Sequence, residues 1–237
     1  MTGILFAAAL LPAVLLWVYV WRMDPQKEPG KQLMRAVWYG VGTCFPVALF
    51  EAVVQNMLFG QGGHPTTLFD TTATAFLVAA IPEESFKLLA LWLVLRRNPY
   101  FDEHFDGIVY AVCVGLGFAA MENIGYIVGS GDQWASVAIA RSLLAVPGHY
   151  AFAVMMGYYY SLYHFANRSA KIRACILLVP VVAHGVYDAL ALSGTINTTV
   201  GGISFFVLVY FCIKMHKFAY SRMQEQIKRD ITPFTTD

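Results

Sequence analysis

The sequence predicts an all-α, polytopic transmembrane helical bundle of about seven spans, and three observations carry that prediction. Of the 237 residues, 58% are hydrophobic and only 13% charged, about half the charged share of an ordinary soluble domain. The apolar residues run on continuously over lengths near the roughly 20 residues that a helix needs to cross a bilayer core. A membrane β-barrel would instead alternate apolar and polar residues over segments of about ten. Finally, the basic residues outside the apolar runs are confined to alternate loops and the tail.

Taken in order, the first span covers 3–21. Only Met-Thr-Gly precedes it and its basic residues follow, the reverse of a cleavable signal, so it reads as a retained helix. The second span, 36–58, contains Glu51, and the third, 70–95, contains Glu83, Glu84 and Lys87. The fourth runs over 107–128, where Gly115, Gly117, Gly125 and Gly129 read as close-packing positions between helices. The fifth, 135–165, is longer than a crossing needs and contains Pro147, which implies a kink or a tilt. The sixth, 174–193, carries His184 and Asp188, and the seventh covers 200–214. Beyond it Met215, Phe218, Ala219, Met223 and Ile227 recur at helical spacing among basic residues. That pattern suits either a helix lying on an anionic leaflet or a solvated helix end. Cys44, Cys113, Cys175 and Cys212 fall in four different segments without CxxC spacing and read as small buried hydrophobes. No hydrophilic stretch is long enough for a second domain. Residues 1–237 are expected to form one membrane-embedded domain with its catalytic core at about 70–193.

Fourteen of the sixteen Lys and Arg residues lie outside the spans. Arg22, Lys27, Lys31 and Arg35 follow the first span, Arg96 and Arg97 the third, Arg168, Lys171 and Arg173 the fifth, and the rest lie in the tail. The intervening loops have none. Under the positive-inside rule this places the N-terminus outside and the C-terminus in the cytoplasm, with an odd number of spans. The partner that this composition demands is the lipid bilayer, and nothing in it points to nucleic acid.

Inside the spans stand two bases, Lys87 and Arg141, with the acids Glu51, Glu83, Glu84, Glu122 and Asp188 and the imidazoles of His149 and His184. A charge near the bilayer centre costs about 2.5–3.5 kcal/mol even on lenient scales, and such residues usually face the bundle interior and serve function. At 1.5 Å of rise per residue, the expected topology sets Glu83, Glu122, His149, His184 and Asp188 in one central-to-outer layer on four helices. Glu83 and Lys87 are spaced i,i+4 in the favourable direction for a helical ion pair, and His184 and Asp188 share a helix face in the same way. The bland alternatives are a structural ion-pair cluster for Glu83, Glu84 and Lys87, and interhelical hydrogen bonds for either histidine. Glu51 and Arg141 read as structural or channel-edge residues, and His64, His104, His164 and His216 as solvated.

Carboxylates and imidazoles gathered in a low-dielectric cavity activate water in two ways. Imidazoles and a carboxylate bind a divalent cation such as zinc while a further Glu acts as base. Alternatively, Glu takes the proton from water directly and His donates, with no metal. Both are peptide hydrolysis. A proton- or ion-coupled transporter is the rival that also needs mid-membrane acids, but the paired repeats with broken helices that it predicts are not visible in the sequence.

The segment PEESFK resembles the EExxK motif of the PrsW-type intramembrane proteases. FDGIVYAVCVGLGFAAMENIGY is similar to their FxxxE motif, matched by Phe118 to Glu122 with Asn123 following. RSLLAVPGHYAFAVMMGYYY is similar to the segment with their third-motif histidine, here His149, and HGVYDAL resembles the HxxxD motif, here His184 to Asp188. All four occur in family order, each on its own span, within about 81–190. The resemblance implies a bacterial cell-membrane endopeptidase whose founding activity is the first cut of a single-span anti-sigma factor. Taken together with the shared depth of the polar residues, it points to catalytic roles for Glu83, Glu84, His149 and His184, with Lys87, Asn123 and Arg141 expected to support them. The expected metal ligands come from Glu122, His149, His184 and Asp188. The related prenyl-protein (CaaX) endopeptidases resemble EExxxR, FxxxH and HxxxN and favour a metal-free glutamate/histidine chemistry, so the resemblance leaves the cofactor open.

Overall fold

Each long apolar run of the sequence is a helix in the computed structural model, which describes residues 2–231. Met1 and the last six residues of the expected 1–237 unit lie outside the described residues. Among the described residues there are seven helices in chain order. α1 is Thr2–Met23 and α2 is Gly30–Phe59. α3 is one continuous rod in three pieces, Leu68–Ala73, Thr74–Ala80 and Ile81–Leu95. α4 is Asp106–Gly129, α5 is Gly131–Ala166, α6 is Ala170–Ser193 and α7 is Thr198–Ile231. Six of them are long and apolar enough to cross a membrane, and α3 is the seventh, set apart by its buried charges. Over their apolar stretches α1, α2 and α7 leave large apolar side chains uncovered, among them Leu15, Trp38, Phe45, Leu49 and Phe206, as a lipid-facing surface requires.

α4 is the central post. It packs against α1, α2, α3 and α5, while α6 closes the ring against α3 and α5. Glycine makes this possible where helices meet backbone to backbone. A Cβ added at Gly40 would stand 2.0 Å from the Val114 carbonyl oxygen, and one at Gly157 would stand 2.4 Å from that of Gly107. Gly115 and Gly117 are likewise close-packed, against Ala153 and Val37. Gly125 and Gly129 are not: nothing lies within 4 Å of a Cβ built on either, and both border an open groove between α2 and α4. Close packing therefore holds for the first half of α4 and gives way to open space in the second.

Two helices loosen just before the residues of interest. Pro82 and Pro147 lack an amide hydrogen and would leave the carbonyl four residues back without its partner. In both, a π-helical stretch precedes the proline: Thr74–Ala80 in α3 and Arg141–Ala145 in α5. The Ile81 amide donates to the Phe76 carbonyl and the Val146 amide to the Arg141 carbonyl, each five residues back. Such widened turns often mark functional positions, and these two deliver Glu83–Glu84 and His149 to the same place.

The ends of two helices differ from expectation. α2 begins at Gly30 rather than 36, and α7 does not stop at 214 but continues without a break to Ile231. The apolar face of the tail lies on the protein itself. Met215, Ala219 and Met223 are buried, the Tyr150 hydroxyl meets Met223 Sδ at 3.1 Å, and Asp230 accepts from the backbone amides of His104 and Phe105 at 2.8 Å. Neither a leaflet-bound nor a freely solvated helix describes it. His104 and His216 are correspondingly half-buried, while His64 and His164 are exposed. All four cysteines are free, with Cys113 and Cys212 buried.

Candidate active site

α3, α4, α5 and α6 each turn ionisable side chains inward to one cluster. The i,i+4 relation on α3 becomes a bond: Lys87 Nζ donates to Glu83 Oε2 at 2.8 Å and to Glu84 Oε1, three residues back, at 2.9 Å. The same ammonium stands 3.2 Å from His149 Nδ1 on α5 and 4.0 Å above the Phe118 ring on α4. All three polar side chains on α3 are nearly inaccessible, and so are both imidazoles. Carboxylates and an ammonium bind one another tightly enough here to offset part of a burial cost that neither would bear alone.

The two histidines are held differently. His184 has a carboxylate at each ring nitrogen, Glu84 at 2.9 Å from Nδ1 and Asp188 at 3.2 Å from Nε2. His149 has an ammonium at Nδ1 and a carboxylate, Glu122, at 2.9 Å from Nε2. An ammonium only donates, so His149 accepts at Nδ1 and donates at Nε2. His184 has an acceptor on both sides. The rings lie 5.3 Å apart, and Phe152 stacks on His184 at 4.7 Å.

Arg141, from the π-helical stretch of α5, donates to Glu122 at 2.6 Å and to Asn123 Oδ1 at 2.8 Å. It also lies over the Tyr126 ring at 4.0 Å. Asn123 is fully buried and passes the connection on, its amide donating to the Ala9 carbonyl of α1 at 2.8 Å. A cavity of about 610 Å³ opens onto this assembly, and Glu51, Glu83, Glu122, Arg141, His149, His184 and Asp188 all line it. Glu84 and Lys87 are not in its wall. The adjacent glutamates therefore have separate surroundings. Glu83 faces the cavity, whereas Glu84 sits behind it between Lys87 and His184, with its Oε2 buried and without a partner.

The donor set that can close on one ion is Glu83, Glu84, His149 and His184, whose ligand atoms lie within 4.8 Å of one another. This redistributes the roles expected from depth alone. Glu122 and Asp188, expected as ligands beside the histidines, instead hydrogen-bond the ring nitrogens remote from Glu83 and Glu84, where they orient the imidazoles. The two glutamates expected to be free of a metal belong to the cluster that can hold one. The cluster fits a divalent cation in its chemistry. It offers two imidazoles, two carboxylates and one orphaned carboxylate oxygen. Among Glu83, Glu84, Glu122 and Asp188, four carboxylates stand against two bases, Lys87 and Arg141. One divalent ion would balance that difference, and so would two protons.

The sequence reading left three contributors without a role. Phe118, Phe152 and Tyr126 wall the charged groups with aromatic faces. Phe118 stands at the first position of FxxxE and Phe152 lies three residues after His149, so helical spacing was the available signal.

Residues 28–215 match a family described as PrsW family intramembrane metalloprotease. A protein named Protease PrsW from Geobacillus kaustophilus is 36% identical over 191 residues, covering 80% of each chain. Its namesake in Bacillus subtilis is 34% identical over 187 residues, 78% of this chain and 81% of the relative. Another from Clostridioides difficile is 31% identical over 189 residues, 78% and 77% of the two chains. No solved structure matches the chain at a significant level. With the matched region spanning all four helices that build the cluster, the chain belongs to the PrsW family of intramembrane proteases.

Proposed function

We propose that the protein hydrolyses a peptide bond of a transmembrane protein inside this cavity, with Glu83 as the base that takes a proton from water. The observation that carries the proposal is the separation of the two glutamates: Glu83 lines the cavity while Glu84 is enclosed behind it. The water oxygen adds to the scissile carbonyl carbon as Glu83 receives its proton. The carbon–nitrogen bond then breaks as the leaving amine takes a proton. Glu83, which lines the cavity and holds the proton taken from water, is suited to deliver it, while Glu84 and Asp188 orient the His184 ring. Glu122 and Arg141 hold His149 from the cavity side, and Lys87 fixes the positions of both glutamates.

His149, His184 and Glu84 would hold a divalent cation such as zinc, which supplies a Lewis acid for the scissile carbonyl when bound. A second reading rests on Lys87, whose ammonium lies within 3.2 Å of Glu83, Glu84 and His149 and partly neutralises the cluster by itself. In that reading Glu83 and the imidazoles act alone, as in the CaaX-type peptidases. By family analogy the substrate is a single-span anti-sigma factor, and the basic loops put the C-terminus in the cytoplasm.

The test is cleavage of a single-span substrate in proteoliposomes. Glu83→Gln keeps the shape but cannot accept the proton, and the rate should fall by about 10²–10⁴-fold with folding retained. Full cleavage by the Glu83→Gln, Glu84→Gln double variant would end the proposal. Stripping divalent cations separates the two chemistries. Loss of activity that zinc restores supports the metal, and an undiminished rate supports Glu and His alone.

A further inference from the structure

We propose that the end of the bundle bearing the basic loops holds a hard divalent cation, bound by Asp24, Glu103 and Asp106 with Glu28 and Asp102 beside them. The connection between α1 and α2 meets the connection between α3 and α4 there. Carboxylate oxygens of Asp24, Glu103 and Asp106 lie within 4.8 Å of one another, and Glu28, Asp102 and Asp106 form a second such set that shares Asp106.

Asp24 is 2% exposed and Asp106 is fully buried. Both oxygens of Asp24, Oδ1 of Asp106 and Oε2 of Glu103 are buried with no hydrogen-bond partner. The other oxygens of Asp106 and Glu103, and one of Glu28, have partners. Asp106 Oδ2 accepts from the backbone amides of Asp102 at 3.1 Å and Glu103 at 2.7 Å, the Gln26 amide donates to Glu103 Oε1, and the Tyr110 hydroxyl donates to Glu28. Lys27 is close, but its ammonium donates to the backbone carbonyls at the end of α1, Trp21 at 2.7 Å, Arg22 at 3.3 Å and Asp24. It caps the helix and leaves the Asp24 carboxylate without a hydrogen bond.

Buried carboxylates turned toward one another, each with an unused oxygen, are costly unless something positive lies between them. Both sets offer oxygen alone, with no imidazole or thiolate. Oxygen donors of this kind select calcium, magnesium or manganese rather than zinc. Asp102 is exposed and opens the set to solvent. A bound ion would tie the exit of α1 to the start of α4, the helix that carries Phe118, Glu122 and Asn123.

The experiment uses the full chain, purified in detergent and stripped of divalent ions, with Ca²⁺ and then Mn²⁺ as probes. Calorimetric titration and thermal unfolding are read together, without substrate, so the result is independent of the protease reading. The wild type should bind the probe and gain thermal stability with it. Asp24→Asn should bind at least about tenfold more weakly and lose the gain, while Asp132→Asn, an exposed acid that belongs to neither cluster, keeps both. Should Asp24→Asn not fold, Glu103→Gln at the half-buried edge of the set serves the same purpose. A wild type that binds neither ion, or binding unchanged in the Asp24 or Glu103 variant, overturns the site.

Discussion

Two groups of buried carboxylates share this bundle. Asp106 and Glu122 mark them on one helix, sixteen residues and about 24 Å apart. Around Glu122 nearly every acid has a charged or imidazole partner: Lys87 holds both Glu83 and Glu84, Arg141 holds Glu122, and His184 holds Asp188. Around Asp106 the acids have backbone amides, a side-chain amide and a phenol, and several oxygens have nothing. The difference shows that burial alone does not reveal what a carboxylate is for. In the first group positive side chains are built in, so the protein holds the charges in place at membrane depth. In the second the positive charge has to come from elsewhere.

Removing one charge from each group should act in opposite directions, and the largest effect belongs to Lys87. Lys87→Met leaves Glu83 Oε2 and Glu84 Oε1 buried without their common ammonium, a loss of about 3–5 kcal/mol for a broken buried pair. Thermal unfolding in detergent should show it, along with a protein that inserts poorly. Asp24→Asn in the second group should be neutral or stabilising in chelator, since it removes an unpaired charge. If both variants lose stability alike, the contrast between the groups fails.

A smaller effect tests the packing that separates them. Gly157→Ala puts a Cβ 2.4 Å from the Gly107 oxygen and 2.7 Å from Ile108 Cα. Backbone cannot step aside as a side chain does, so about 1–3 kcal/mol should be lost. Gly125→Ala, with nothing within 4 Å, should stay within about 0.5 kcal/mol of the wild type. Equal losses at the two positions would mean that α4 is packed evenly along its length.

The same contrast explains what could be read in the sequence. The seven helices follow from apolar length, and Glu83–Lys87 and His184–Asp188 follow from i,i+4 spacing. Both pairs are bonded as that spacing implies. Depth brought four helices to one layer but could not say which ring nitrogen each carboxylate would meet. Glu122 and Asp188 were for that reason expected on the metal side and lie on the other. Nor could depth separate Glu83 from Glu84, since the distinction depends on a cavity that α5 and α6 complete. The second acid group was invisible because its members come from two connections far apart in sequence, where acids ordinarily point to water. Gly125 and Gly129 share the spacing of close-packed glycines, but the neighbour they would pack against is missing.

The smallest effect, and the one that sharpens the comparison most, is the pH dependence of the Asp106 group. Burial pushes the Asp24 carboxyl up to about 6 despite the nearby Lys27, and pushes Glu28 up to about 7 despite the hydrogen bond from Tyr110. In an unfolded chain such groups titrate near 3.9 and 4.3, so between about 4 and 7 the folded protein binds more protons than the unfolded one. Stability therefore falls as pH rises through that window. The contribution of each carboxyl is present in full below about 4, and is lost as pH passes about 6 for Asp24 and about 7 for Glu28. In chelator the unfolding temperature should decline by a few degrees from pH 5 to pH 8. A divalent cation favours the ionised carboxylates and should flatten the decline from its upper end, where the unpaired charge is greatest. Asp24→Asn should show a shallower decline and no response to the ion. An unfolding temperature that rises with pH in chelator would mean that these oxygens are already paired in the folded protein, and the distinction between the two acid groups would disappear.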